Sequence, residues 1–311
     1  MKDFDFKGKH VVVTGASGSL GFALVQRFVS QGSRVSMMAR GVQKMEELVA
    51  EHNLQQHVSV IKCDVTSVES VQAAFDEAVE KFGNVDGLVN NSGAVHINSF
   101  RHSKIEKLKN VIDVNYFGTL NVTHRALEHF VEGGFVCFIS SIASLFPSHE
   151  SYTYSNTKNA VAEFARCLSL ELRPRGVSVT TMCPGFFESD FLKGNSTLPL
   201  TMKLGYVADK VVSGIEKRKD KELFPFFIGF LLCLFHFLFV WCPSFPHWLN
   251  NNAVRKMYLA KDARPHIDPS KELQIRDPFG FKHLFYMIPF AHKFSDLLEK
   301  ALVIFGNTKK K

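Results

Sequence analysis

Tyr154 and Lys158 stand four residues apart in Tyr-Ser-Asn-Thr-Lys, with Ser141 thirteen residues upstream. Residues i and i+4 of a helix share a face, so a phenol and an ammonium group are expected to point into one cleft. A tyrosine exchanges its proton near neutral pH only if its pKa falls from about 10, and a neighbouring cation lowers it. A glycine-rich turn, Thr14-Gly15-Ala16-Ser17-Gly18-Ser19-Leu20-Gly21, follows the first apolar run. Together these are parts for moving a proton onto or off a carbonyl or alcohol oxygen while a bound nucleotide carries hydride.

The elements that must position them read as alternating β-branched runs and helical stretches. Strands are expected at His10–Thr14, Arg34–Ala39, Val58–Cys63, Gly87–Asn90, Phe135–Ser140 and Val177–Cys183. Helical patterns lie near 19–31, 42–52, 67–82, 104–130, 153–173 and 206–218, with a loop over 186–203. Continuous apolar strands separated by helices predict an α/β fold, a doubly wound parallel sheet of the Rossmann type with both faces covered.

In the turn, Gly15 permits a tight bend, while Gly18 and Gly21 permit close approach of backbone to a pyrophosphate and of helix to sheet. Ser17, Ser19 and Leu20 complete the loop around the anion, which the helix N-terminus attracts. An NAD-preferring site usually places an acid about 20 residues on. Here the second strand ends Met37-Met38-Ala39-Arg40, with a guanidinium instead. Guanidinium matches phosphate geometry, so Arg40 predicts NADP(H).

These residues together resemble the short-chain dehydrogenase/reductase family over about residues 7–220. The matching signs are the glycine turn, Asp64-Val65, Asn90-Asn91-Ser92-Gly93, Asn115, Ser141, Tyr154, Lys158 and Pro184-Gly185. The resemblance implies that Asp64 bonds near the adenine, with Val65 packed against it. It implies that Asn90, Asn91 and Gly93 line the cofactor cleft, and that Pro184, Gly185 and Ser189 border the nicotinamide. Asn115 would bend its helix and hold a water in a proton relay, and Ser141 would orient the substrate oxygen. Tyr154 would exchange the proton. Lys158 would hold the ribose and depress the tyrosine pKa. Two departures stand out: the middle glycine lies one place earlier than in the family's commonest turn, and Ser92 replaces a usual alanine.

At Leu223 the composition changes. Residues 223–242, LFPFFIGFLLCLFHFLFVWC, hold no Lys, Arg, Asp or Glu, and twenty helical residues span about 30 Å, close to a bilayer core. Basic residues flank the run on both sides, so its orientation stays open between a crossing and a monotopic or re-entrant segment. A buried last strand plus a covering helix is the rival reading, and Pro225 and Gly229 suit it too. The expected organisation is a catalytic domain over 1–222, a hydrophobic membrane-associated extension over 223–248 and an amphipathic basic tail over 249–311.

The net charge of +7 comes without an arginine-rich stripe, so an anionic membrane or a phosphorylated cofactor explains it, and no nucleic-acid role is expected. The six cysteines show no paired or metal-ligand spacing, no metal site is expected, and reduced thiols suit a cytosol-facing domain. The charged N-terminus lacks the apolar core of a cleaved signal peptide.

The likeness extends to membrane-associated reductases of lipid metabolism and implies reduction of a lipid ketone at the endoplasmic reticulum membrane. Phe186 and Phe187 are expected to wall the substrate cleft beside Ser141 and Tyr154. The leading candidate substrate is 3-ketodihydrosphingosine (3-ketosphinganine), on Val-Asn-Tyr-Phe-Gly-Thr at 114–119 and the apolar run. The stretch Cys-Pro-Gly-Phe-Phe-Glu-Ser-Asp departs from that group, leaving acyl-dihydroxyacetone-phosphate, 3-ketoacyl, hydroxysteroid and retinol substrates open. A homo-oligomer is a further implication. The alternative from another class is an inert NADP(H)-binding membrane scaffold, against which the intact Ser141, Tyr154 and Lys158 argue.

Overall fold

The computed structural model describes residues 2–145, 151–189 and 201–225. Among them the chain runs β1 (His10–Thr14), α1 (Ser19–Ser30), β2 (Arg34–Ala39), α2 (Val42–Glu51), β3 (Val58–Lys62) and α3 (Val68–Phe82). It continues through β4 (Val85–Asn90), α4 (Ile105–Ile112), α5 (Gly118–Leu127), β5 (Phe130–Ile139), α6 (Tyr152–Leu172), β6 (Ser178–Pro184), α7 (Leu204–Glu216) and β7 (Lys221–Phe224). The sheet order is β3-β2-β1-β4-β5-β6-β7, and every neighbouring pair is parallel. The strands' C-terminal ends therefore share one edge. The chain steps outward from β1 to β3 and then returns to β4 on the other side of β1, which opens a crevice at that edge.

Local chemistry sets the boundaries. The β1 residues His-Val-Val-Val-Thr are all buried, as a strand covered on both faces must be. α3 starts where the Ser67 side chain accepts from Ser70 N and ends at Gly83, whose φ of 78° no β-carbon residue adopts cheaply. One core layer joins the sheet to α1, α2 and α7, and the other joins it to α3, α5 and α6. Since α6 and α7 cross opposite faces while β5, β6 and β7 advance in one direction, the β6–β7 connection has the opposite hand to the β5–β6 connection.

Three expectations are corrected. The helix read over 104–130 is interrupted by a π-turn at Asp113–Phe117, and Phe130 already belongs to β5. β5 begins five residues before the expected Phe135 because Phe130 pairs with Val85, after which a bulge resets the register. Leu223 and Phe224, assigned above to the apolar segment, close β7 in register with Cys183 and Pro184. These residues thus form the last strand that the rival reading offered, begun two residues earlier in the charge-dense stretch at Lys221. Residues 226–242 and the tail over 249–311 lie outside the described residues. Among the described residues, no helix is long and apolar enough to cross a membrane.

Candidate active site

The turn after β1 is shaped by steric exclusion. Gly15 has φ of 62°, and a β-carbon there would lie 3.0 Å from the Ser92 Cα. At Gly21 a β-carbon would meet the Gly15 carbonyl oxygen at 2.3 Å and the Ala16 Cα at 2.8 Å. At Gly18 it would meet only the Gly15 oxygen, at 3.4 Å, so one face of the turn is left bare. Gly18 is also the N-cap of α1, which carries no side-chain cap. A bare backbone face at a twelve-residue helix N-terminus fits the pyrophosphate of a dinucleotide. The earlier middle glycine therefore leaves the cradle intact.

A polar web ties this turn to the tip of β4. The Thr14 hydroxyl accepts from Asn91 N and Ser92 N, both at 3.1 Å, and the Asn91 amide donates to the Thr14 and Gly15 carbonyls at 3.0 and 3.3 Å. Arg40 is exposed just beyond β2. The Asp64 carboxylate lies below its ordinary value, first through the Thr66 backbone N–H, then the Thr66 hydroxyl, with Arg40 adding a weaker pull. Arg40 and Asp64 thus share the β2–β3 end of the crevice.

Over β5 and β6 the site is built from side chains. The π-turn places Asn115 inward, 1% exposed, where its Oδ1 accepts from Ala94 N at 2.7 Å. Its Nδ2 donates to the Ala94 carbonyl and the Thr157 hydroxyl, each at 3.0 Å. Lys158 is 5% exposed. Its ammonium donates to the Ile139 carbonyl at 2.8 Å and stands 5.7 Å from the Tyr154 ring centre. The Ser140 hydroxyl donates to the Lys158 carbonyl at 2.8 Å, fixing α6 against β5. The Ser141 hydroxyl reaches the Pro184 carbonyl at 3.4 Å, accepts from Ala143 N at 3.1 Å and hydrogen-bonds the Tyr154 phenol.

The expectation that Lys158 depresses the Tyr154 pKa is corrected. Burial raises the phenol above its ordinary value, and the Ser141 hydrogen bond pulls part of that back down. Although Tyr154 is partly exposed as a residue, its surroundings are close enough for desolvation to dominate. Burial likewise lowers Lys158 to about 8. Both groups are pushed toward their neutral forms, because the low-dielectric wall that holds them disfavours charge on either.

The structure brings Gly93, Asn115, Ser141, Tyr154, Lys158 and Pro184 to one cluster, with a β-carbon on Gly93 falling 3.6 Å from both the Lys158 ammonium and the Asn115 oxygen. Other expected residues support it from behind. Asn90 is 5% exposed and donates to the Thr123 hydroxyl at 2.9 Å. The Leu20 side chain is buried in one core layer and Val65 in the other, so a cofactor meets chiefly their backbone. The Gly185 N–H donates to the Phe224 carbonyl at 2.8 Å. Phe187, expected to wall the cleft, packs partly buried against the core and bridges to Met202, while Phe186 is exposed. Ser189 is partly buried at the end of a described stretch.

Thr14, Thr157 and Lys44 escaped the sequence reading. Lys44 lines a cleft of about 210 Å³ with Ser17, Gly18, Ser19, Leu48 and Leu204. Its one signal was its place a helical turn beyond Arg40.

Comparison with known proteins agrees with this geometry. Residues 9–197 match the family model described as short chain dehydrogenase. The chain is 29% identical over 222 residues to 11-beta-hydroxysteroid dehydrogenase-like 2 of Arabidopsis thaliana, covering 70% of each. It is 26% identical over 305 residues to 11-beta-hydroxysteroid dehydrogenase A of Sesamum indicum, covering 91% of this chain and 84% of the relative. A short chain dehydrogenase from Burkholderia cenocepacia, solved in complex with NADP, superposes with a TM-score of 0.65 at 24% identity, covering 71% and 96%. That likeness shows the fold and leaves the choice of cofactor to this chain's own residues.

Proposed function

Given that the chain belongs to the short-chain dehydrogenase/reductase family, and so is an oxidoreductase of alcohol and ketone groups that uses a nicotinamide cofactor, we propose that it reduces a lipid ketone with NADPH at a membrane surface. The observation that carries this reading is the Ser141–Tyr154–Lys158 cluster at the tips of β5 and β6, with the Ser141 hydroxyl bonded to the phenol and the Lys158 ammonium 5.7 Å from its ring centre. Burial makes the phenol a weaker acid and the Ser141 hydrogen bond opposes that, so the hydroxyl held by Ser141 is the one placed to protonate a developing alkoxide.

When bound, the nicotinamide supplies the hydride. Gly15, Gly18 and the N-terminus of α1 would hold the pyrophosphate, and Arg40 the 2′-phosphate. Ser141 and Tyr154 present two hydroxyls to the substrate oxygen, and Tyr154 donates its proton as negative charge develops there. An ammonium has three donors, so Lys158 can keep its Ile139 anchor and still bind ribose hydroxyls. Asn115 is a positioning residue: its amide ties the Ala94 loop to Thr157, one residue before Lys158.

For the substrate, two readings stand within the lipid class. The names of the relatives from Arabidopsis thaliana and Sesamum indicum favour a steroid ketone. The 114–119 motif and the charge-free run favour a long-chain ketone such as 3-ketodihydrosphingosine. The same reading puts residues 226–242 in or on the endoplasmic reticulum membrane and the catalytic domain toward the cytosol. The test is a panel of both ketone types in detergent, following oxidation of NADPH beside NADH for the protein and for Arg40→Ala. The variant should lose about tenfold or more of its preference for NADPH. A native preference for NADH, or turnover of neither ketone class, refutes the reading.

A further inference from the structure

We infer that the exposed rim formed by residues 97–109 is a docking surface for an anionic lipid bilayer, placed at the mouth of the catalytic cleft. Ile97, Phe100 and Ile105 are 54%, 70% and 55% exposed. Between and beyond them Arg101, Lys104, Lys107 and Lys109 are all exposed, against the single acid Glu106. Apolar tips set among cations are what a surface needs to insert side chains into the headgroup region while binding negative lipid.

The rim is held rigidly beside the site. Ser103 Oγ donates to the Ser99 carbonyl and Asn98 Nδ2 to the His102 carbonyl, closing the short turn that carries Phe100. Tyr152 donates its hydroxyl to Ser103 Oγ at 3.0 Å, and its ring meets Phe100 edge-on at 5.5 Å. Tyr152 lies two residues before Tyr154 on α6, so one helix positions both the proton donor and the apolar tip. The rim grows out of the same loop whose Ala94 is bonded to Asn115. A lipid-held ketone would thus find the cleft at the height of the bilayer surface.

Charge selects the occupant. Phosphatidylserine offers the complement of four exposed cations set against one acid. The inference uses the lipid part of the proposed function, and its test reads contact separately from turnover. Full-length protein carrying Cys167→Ser, Cys233→Ser and Cys242→Ser receives Phe100→Cys, labelled with an environment-sensitive fluorophore. A control carries Asn84→Cys, an exposed site just before the opposite end of β4. Vesicles of phosphatidylcholine with about 30% phosphatidylserine should blue-shift the probe at 100 and expose it to quenchers on the lipid chains, leaving the control unchanged.

Arg101→Glu with Lys104→Glu should weaken that response about tenfold or more and raise KM about tenfold for a vesicle-held ketone, leaving KM for a short water-soluble ketone unchanged. An unshifted probe at 100 overturns the inference. So does a shift that appears without lipid as protein concentration rises, which marks contact between copies. An equal effect of the charge reversals on both ketones also overturns it. If no ketone is turned over, the reductase reading fails while the probe still decides the docking.

Discussion

In the nucleotide half of the cleft, between β1 and β3, the shape is set by atoms that are missing: no side chain could stand at Gly15 or Gly21 without striking backbone. In the catalytic half, over β5 and β6, it is set by polar side chains withdrawn from water, each fixed by a named partner. The first half is a steric mould made by the turn's own backbone and by Asn91 and Ser92 at the tip of β4. The second is a polar network whose members lie up to dozens of residues apart and which must bear the cost of burying ionisable groups. The same family of folds therefore fails in two ways, by filling the mould or by unpairing the network.

The sharpest break of the comparison is Tyr154→Phe. It should lower turnover of an accepted ketone by about 10³-fold while the binding of NADPH, followed by nicotinamide fluorescence, stays within about twofold. Loss of binding along with turnover would mean that the two halves are not separable.

Gly21→Ala and Gly18→Ala test the mould. The first puts a β-carbon 2.3 Å from a backbone oxygen and should cost about 3 kcal/mol in denaturant unfolding, at the severe end of overpacking. The second has room for its methyl, so it should fold with near-normal stability yet bind NADPH at least tenfold more weakly. Equal stabilities for the two variants would remove the steric account.

Asn115→Ala tests the network. It strands the Ala94 N–H and carbonyl and should cost about 2 kcal/mol, with kcat falling more than KM rises.

Lys158→Met is the smallest effect and has the opposite sign. The folded value of Lys158 is near 8, against 10.5 for the free group. Between these values the unfolded chain holds the extra proton, so stability rises with pH there. The burial penalty is present in full below about pH 8 and fades toward 10.5. The variant should therefore melt about 2–4 °C higher at pH 7, lose turnover, and lose most of its thermal advantage by pH 10.5. A lower melting temperature at pH 7 would show that the Ile139 hydrogen bond outweighs the desolvation.

The four thiols among the described residues, Cys63, Cys137, Cys167 and Cys183, are free. Burial pushes the Cys183 thiol up, so it stays uncharged beside Tyr154 and Lys158, a placement that no spacing in the chain announces.

What the sequence determined alone was the period of each element and the short-range chemistry. β1 and β2 were legible to the residue because their β-branched and apolar runs are bounded by a glycine turn on one side and Arg40 on the other. The pairing of Tyr154 with Lys158 followed from helical geometry, and the glycine positions from the steric needs of a turn. Tertiary structure alone decided the rest. Of the two readings the sequence left for Leu223 and Phe224, the strand won because β6 offered an open edge, and Phe130 left its helix because Val85 was there to pair with. The direction of the Tyr154 and Lys158 pKa shifts was likewise decided by burial, since desolvation sums over everything packed around a group and nearby residues in the chain are only part of that sum.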